Sequence, residues 1–164
     1  MPLAVYPFVV SEVNRVTPKG SLILDVGCGW GQYRDSFPGY VGLDVRPEVK
    51  PDILKAIEYY DPPTRYQTIM LVGTLHELGT LLEKLERCCK LIDPNGTLLV
   101  FDYQHPPNRR SGWHFLGLSC VLEASGFAVV RDRSFVVWPW WHWKRLAYWF
   151  GFRGTWLIIE ARKT

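Results

Sequence analysis

LILDVGCGWGQY, residues 22–33, carries an apolar run into an aspartate and then into glycines at 27, 29 and 31. The preceding SLILDV is continuously apolar rather than alternating, the pattern of a strand buried on both faces. Glycine loses more backbone freedom on folding than any other residue, so three within five positions need a reason. A tight turn that lets backbone approach a ligand supplies one.

Working outward, similar strands recur. YVGLDV (40–45) again ends in an aspartate; YQTIMLVG (66–73) and TLLVFDY (97–103) are further buried strands. FAVVRDRSFVV (127–137) and TWLIIEARK (155–163) complete the set. Between them lie helical patterns. Val9, Val13 and Val16 share a face of a short helix over 7–16, with Pro7 in its first turn. Leu78, Leu81, Leu82, Leu85, Cys89 and Ile92 share a face over 74–92, and DPNG (93–96) is a stop signal. A third helix over 113–125 closes at Gly126. The stretches after the first two strands allow only short helices, because PG and two further prolines interrupt them. Only a brief extended piece, VKPDI, lies between the second strand and DPPT. The alternation predicts an α/β fold with a doubly wound, mostly parallel sheet flanked by helices. The last two strands lack a clear crossover helix, so an antiparallel last strand is expected.

Bulk properties narrow the classes. The 164 residues form one expected domain (1–164), with 48% hydrophobic and 21% charged residues, a globular composition. The net charge of +3 is small, and no basic block exceeds Arg109-Arg110, so there is no strong nucleic-acid signal. The four cysteines lack disulfide or zinc spacing, and the N-terminus lacks a signal-peptide pattern. A cytoplasmic location is the expectation.

The glycine loop distinguishes between cofactors. A dinucleotide fingerprint G-x-G-x-x-G counted from Gly27 meets Gln32 where its third glycine belongs, which weakens an NAD-dependent oxidoreductase reading. The pattern is instead Asp25-x-Gly27-x-Gly29-x-Gly31. This resembles motif I of the class I S-adenosylmethionine-dependent methyltransferases, and three further segments follow in that family's order. Asp44 ends the second strand, 13 residues after Gly31; YQTIMLVGTLHEL resembles the fourth strand and helix start; DPNGTLLVFDY resembles the turn into the fifth. The resemblance covers about residues 20–137. It implies a Rossmann-like methyltransferase fold and S-adenosyl-L-methionine as cofactor, with S-adenosyl-L-homocysteine as product. It also implies cofactor contacts from Asp25, Gly27, Cys28 (through its amide), Gly29, Gly31, Asp44 and Val45, and from Val72-Gly73 at the end of the fourth strand. Asp44 suits the ribose diol, since a carboxylate offers two acceptor oxygens. Asp52-Ile53 resembles the family's acidic-apolar pair around adenine. Gln67 departs from the family's aspartate, and Asn95-Gly96 replaces its Gly-Gly turn.

Methyl transfer from an activated sulfonium needs alignment and water exclusion first, and a base only where the acceptor must lose a proton. His76 and His105 are the candidate catalytic residues, with Glu77, Asp102 and His114 in reserve. No tight histidine spacing points to a metal. Five of the eight tryptophans crowd into residues 138–149, within an aromatic-rich insertion (138–152) between the last two strands. Trp138, Trp141 and Trp143 are candidates to line an apolar acceptor pocket. Peripheral membrane contact and a homodimer interface are competing uses of the same segment. The expected partner is a small-molecule acceptor, apolar or aromatic. Alternatives are a non-catalytic S-adenosylmethionine-binding subunit and a nucleic-acid methyltransferase; the latter is disfavoured because Gly73-Thr74-Leu75-His76 stands where an N-P-P-Y-type motif would lie.

Overall fold

The computed structural model describes residues 5–75, 78, 80–104, 115–136 and 155–164. Among them, the continuous apolar runs do form strands covered on both sides. The chain order is α1 (Tyr6–Val16), β1 (Ile23–Val26), β2 (Tyr40–Asp44), β3 (Ile53–Leu54), β4 (Tyr66–Val72), α2 (Leu81–Leu91), β5 (Ile92–Gln104), α3 (Phe115–Ala124), β6 (Phe127–Val136) and β7 (Thr155–Lys163). These strands make one sheet in the order β3-β2-β1-β4-β5-β7-β6. β1 to β5 pair in parallel, and β7 enters antiparallel between β5 and β6. The expected mixed, doubly wound sheet is present, with its antiparallel last strand one place in from the edge.

Successive strand residues feed two cores. Leu24, Val26, Ile69, Leu71, Leu98, Val100, Leu157 and Ile159 pack with α2 and α3. Their alternates Ile23, Met70, Val72, Leu99, Phe101, Trp156 and Ile158 pack against Val5, Val9 and Val13 on and just before α1. Both faces are apolar because both are covered, which is why no polar alternation shows in the sequence.

Three local readings change. The second helix begins at Leu81 rather than at 74. Its fully buried stripe is Leu81, Leu85, Cys88 and Leu91; the expected Leu78 and Cys89 are partly buried and pack against the same core, while Leu82 is exposed. Counting i, i+4, i+7 from Leu81 gives Cys88 directly, but an adjacent cysteine pair leaves that choice open in sequence. DPNG does not separate helix from strand either: β5 starts at Ile92, and two steps along β4 (Tyr66 to Thr68) face five along β5 (Ile92 to Thr97). The turn is a bulge within the strand. Gln67 sits at the amino end of β4, and its side-chain amide donates to the Asn95 carbonyl at 3.0 Å. The residue that departs from the family pattern thus braces this bulge.

The segments after β1 and β2 are reduced as expected. They hold 3-10 turns of three residues, Arg34–Ser36 and Pro47–Val49. Among the described residues, therefore, neither strand is followed by a full helix. On the far edge, β6 carries a bulge between Val129 and Arg131 that turns Val130 out to solvent, a common way of closing an exposed sheet edge.

Candidate functional site

The carboxyl ends of β1, β2 and β4 converge on the loop that follows β1. Gly27 and Gly29 both adopt left-handed backbone, with φ of 73° and 54°. At Gly27 the reason is steric as well. A Cβ there would lie 2.3 Å from Thr74 Cγ2 and 2.8 Å from Thr74 Oγ1, so the loop passes directly over the turn after β4. Thr74 donates its hydroxyl to the Val72 carbonyl at 3.2 Å and approaches that of Gly27 at 3.4 Å. Gly73 closes the turn, its N–H donating to the Phe101 carbonyl at 2.7 Å.

The loop amides point inward. The N–H groups of Gly27 and Cys28 both donate to the Leu43 carbonyl at 2.8 and 3.1 Å, and that of Gly31 donates to the Cys28 carbonyl at 3.0 Å. The Gly29 N–H donates to Asp44 Oδ2 at 2.9 Å. β2 therefore positions the glycine loop, and the loop in turn positions the carboxylate that ends β2.

Asp44 is buried, 4% exposed, and lines a cleft of about 150 Å³. The cleft is lined by Val26, Gly27, Leu43, Asp44, Val45 and Arg46, by Ala56, Ile57 and Glu58 after β3, and by Thr74, Leu78 and Lys84. Burial works against the Asp44 charge. The Arg46 guanidinium and the backbone N–H groups of Arg46 and Gly29 outweigh it and hold the carboxyl below the usual aspartate range. Also lining the cleft, Lys84 on α2 pairs with Glu58 at 3.2 Å. The cleft thus has apolar walls and two carboxylates, each with a cation beside it.

The structure separates the sequence-derived site residues. Gly27, Asp44 and Val45 line the cleft, and Gly29 is bonded to its carboxylate. Val72 and Gly73 shape the adjoining turn. Asp25 instead lies beneath the loop at 2% exposure, accepting from the Tyr40 hydroxyl at 2.8 Å. Burial first, and then the nearby Asp44 charge, push its carboxyl up to about 7, against the Tyr40 bond, which lowers it. Cys28 is buried, and burial with the Asp25 and Asp44 charges raises its thiol to about 12. It fills space as a neutral thiol. In the folded protein Cys28 is expected to resist iodoacetamide at pH 8 while the exposed Cys120 is alkylated, which peptide mass mapping would read.

Asp52 and Ile53 are not among the residues lining the cleft. One Asp52 oxygen accepts from the Gly42 N–H at 2.7 Å and the other is bonded by Arg34. β3 pairs only Ile53 and Leu54 with Leu43 and Asp44, so Asp52 falls one pleat behind the carboxyl edge. The residues that line the cleft in its place, Ala56, Ile57 and Glu58, form the start of the turn after β3. Two prolines and a two-residue strand gave no periodicity by which to find them. Of the aromatics near the loop, Tyr33 is a packing residue, stacked on Tyr6 at 5.3 Å, whereas Trp30 is 78% exposed. His76, His105, Glu77 and His114, and Trp138, Trp141 and Trp143 with the insertion 138–152, lie outside the described residues. Asp102 is described, buried near the end of β5. Among the described residues, no helix is long and apolar enough to cross a membrane.

No protein-family model matches the sequence, and no curated protein matches it. Solved structures do. The chain superposes on Burkholderia thailandensis 1,6-didemethyltoxoflavin-N1-methyltransferase, bound to 1,6-didemethyltoxoflavin and S-adenosylhomocysteine, with a TM-score of 0.76 at 17% identity, over 99% of this chain and 79% of that one. An S-adenosylmethionine-dependent methyltransferase from Mesorhizobium loti gives 0.75 at 16% identity over 99% of both chains. The N-methyltransferase NodS from Bradyrhizobium japonicum WM9 gives 0.73 at 13% identity, over 99% and 98%. The chain has the Rossmann-like fold of the class I S-adenosylmethionine-dependent methyltransferases.

Proposed function

We propose that the chain is an S-adenosylmethionine-dependent methyltransferase acting on a small, apolar or aromatic acceptor. The observation that carries this reading is a buried carboxylate, Asp44, lining an apolar cleft beside a glycine loop whose amides are already engaged. A pyrophosphate needs backbone N–H groups aimed outward and a helix N-terminus behind them. Here the amides of Gly27, Cys28, Gly29 and Gly31 are turned into the protein, and a three-residue turn replaces the helix. That disfavours a dinucleotide and suits an adenosyl group without phosphates.

The residues present fit such a group. Asp44 would accept the ribose hydroxyls, Val45 and Ile57 would enclose the adenine, and Glu58 beside Lys84 would accept its exocyclic amine. Gly27 keeps the loop close enough to Thr74 for the cleft to remain narrow. When bound, the cofactor supplies a methyl group already activated as a sulfonium. The protein's own part is to hold the adenosyl end rigidly and exclude water, so that the acceptor meets the methyl carbon in line. The acceptor class rests on the fold and on the composition of residues 138–152. Two of the solved structures are methyltransferases named for small-molecule acceptors, 1,6-didemethyltoxoflavin and mitomycin.

Calorimetric titration with S-adenosylhomocysteine is expected to show one saturable site. Asp44→Ala is expected to weaken it by about 1–3 kcal/mol, or roughly 5- to 150-fold, through loss of charge-assisted bonds. Binding of NAD with no response to S-adenosylhomocysteine would reject the reading. Binding without methyl transfer to any of a panel of small aromatic acceptors would favour the non-catalytic subunit.

A further inference from the structure

Asp44 has its acceptor capacity filled in the ligand-free protein. Oδ1 accepts from the Arg46 backbone N–H at 3.0 Å and from Arg46 Nε at 3.1 Å. Oδ2 accepts from the Gly29 N–H at 2.9 Å and from Arg46 Nη2 at 3.1 Å. A carboxylate offers about four lone-pair sites, and these four bonds occupy them. Two bonds come from backbone fixed by the loop and the strand end. The other two come from one guanidinium, and only these can leave without moving the chain. The Arg46 side chain is 48% exposed, so it can turn into water at little desolvation cost. It also lines the cleft and lies against the loop, with Nη2 3.6 Å from where a Gly29 Cβ would be.

We propose that Arg46 is a displaceable plug in the ribose subsite. A vicinal diol carries two O–H donors, the same number that the guanidinium presents to Asp44, so binding exchanges one bidentate donor for another. This inference rests on the adenosyl reading of the cleft and goes beyond it. It makes Arg46 a positioning residue that holds the acid in place without ligand and competes with the ligand for it. A ligand must therefore bring both hydroxyls to release the plug fully.

The test uses the whole chain and S-adenosylhomocysteine as probe, with Arg46→Met to remove the donors and Arg46→Lys to keep the charge without the fork. Removing the competitor is expected to tighten binding about 1.4- to fivefold in Arg46→Met, the range of a single partly exposed charge pair. Arg46→Lys should fall between the two. Wild-type affinity should rise with added salt, which screens the Arg46–Asp44 pair, and Arg46→Met should lose that response. In the wild type, the Arg46 Nε–H resonance should move toward a solvent-exposed position as ligand is added. Unchanged or weaker binding in Arg46→Met overturns the plug. Folded wild type and variants that all fail to bind S-adenosylhomocysteine would instead reject the adenosyl reading, and the plug would fall with it.

Discussion

Gly27→Ala is expected to unfold well below the wild type and to lose S-adenosylhomocysteine binding, while Gly29→Ala suffers much less. Both positions hold left-handed backbone, which costs an L-residue about 1–2 kcal/mol, and both pay that strain. Only at Gly27 does the added methyl also strike the turn after β4, 2.3 Å from Thr74 Cγ2, against 3.6 Å to a flexible guanidinium at Gly29. Overpacking of that kind adds about 1–3 kcal/mol, so Gly27→Ala should cost about 2–5 kcal/mol in all. At about 2–4 °C per kcal/mol for a chain of this size, the two melting temperatures separate clearly. Thr74→Ala removes Cγ2 and Oγ1, leaving only Cβ at 3.1 Å. In the double variant Gly27→Ala/Thr74→Ala the clash should be largely relieved and the backbone strain kept. Equal losses at Gly27 and Gly29 would show that the loop does not press on Thr74.

The same loop shows what could be read in sequence and what could not. β1, β2, β4 and β5 were legible because a sheet covered on both faces writes an unbroken apolar run, and Asp44 because it terminates one. The two cores alternate beneath those runs, as Leu24 and Ile23 do, but both neighbours are apolar and the faces cannot be told apart from the string alone. Asp52, expected beside the adenine, instead bonds the Gly42 amide, and only two residues of β3 pair with β2. A shift of one pleat moves an acid from the cleft to the Gly42 amide. Glu58 and Lys84 meet across a turn and a helix, a tertiary pairing with no local pattern. Arg46 is different. An arginine two residues beyond an acid at a strand end is a visible signal, and its meaning emerges only when the acceptor sites of the carboxylate are counted.

Asp25→Asn is expected to make the protein more stable above neutral pH and to flatten its stability profile between about pH 4 and pH 7. Asp25 sits under the glycine loop with its carboxyl raised to about 7, through burial and the neighbouring Asp44 charge. In the unfolded chain an aspartate ionises near 3.9. Between those values the folded protein holds a proton that the unfolded chain has released, so folding is favoured by acid and stability falls as the pH rises through this window. A carboxyl that ionises near 7 in the fold and near 3.9 in the unfolded chain contributes about 4 kcal/mol, present below about pH 4 and absent above about pH 7. Asparagine carries no charge to bury and keeps an oxygen for the Tyr40 hydroxyl, which now donates to Asp25 at 2.8 Å. Denaturant unfolding at a series of pH values isolates the effect as the difference between wild type and variant, since other titrating groups are common to both. Tyr40→Phe should widen the window upward by removing a bond that stabilises the carboxylate. A difference that stays constant from pH 4 to pH 8 would mean that Asp25 is ionised throughout. The acid beneath the loop would then be held by partners strong enough to offset its burial, and Asp25→Asn would destabilise the fold at every pH in that range.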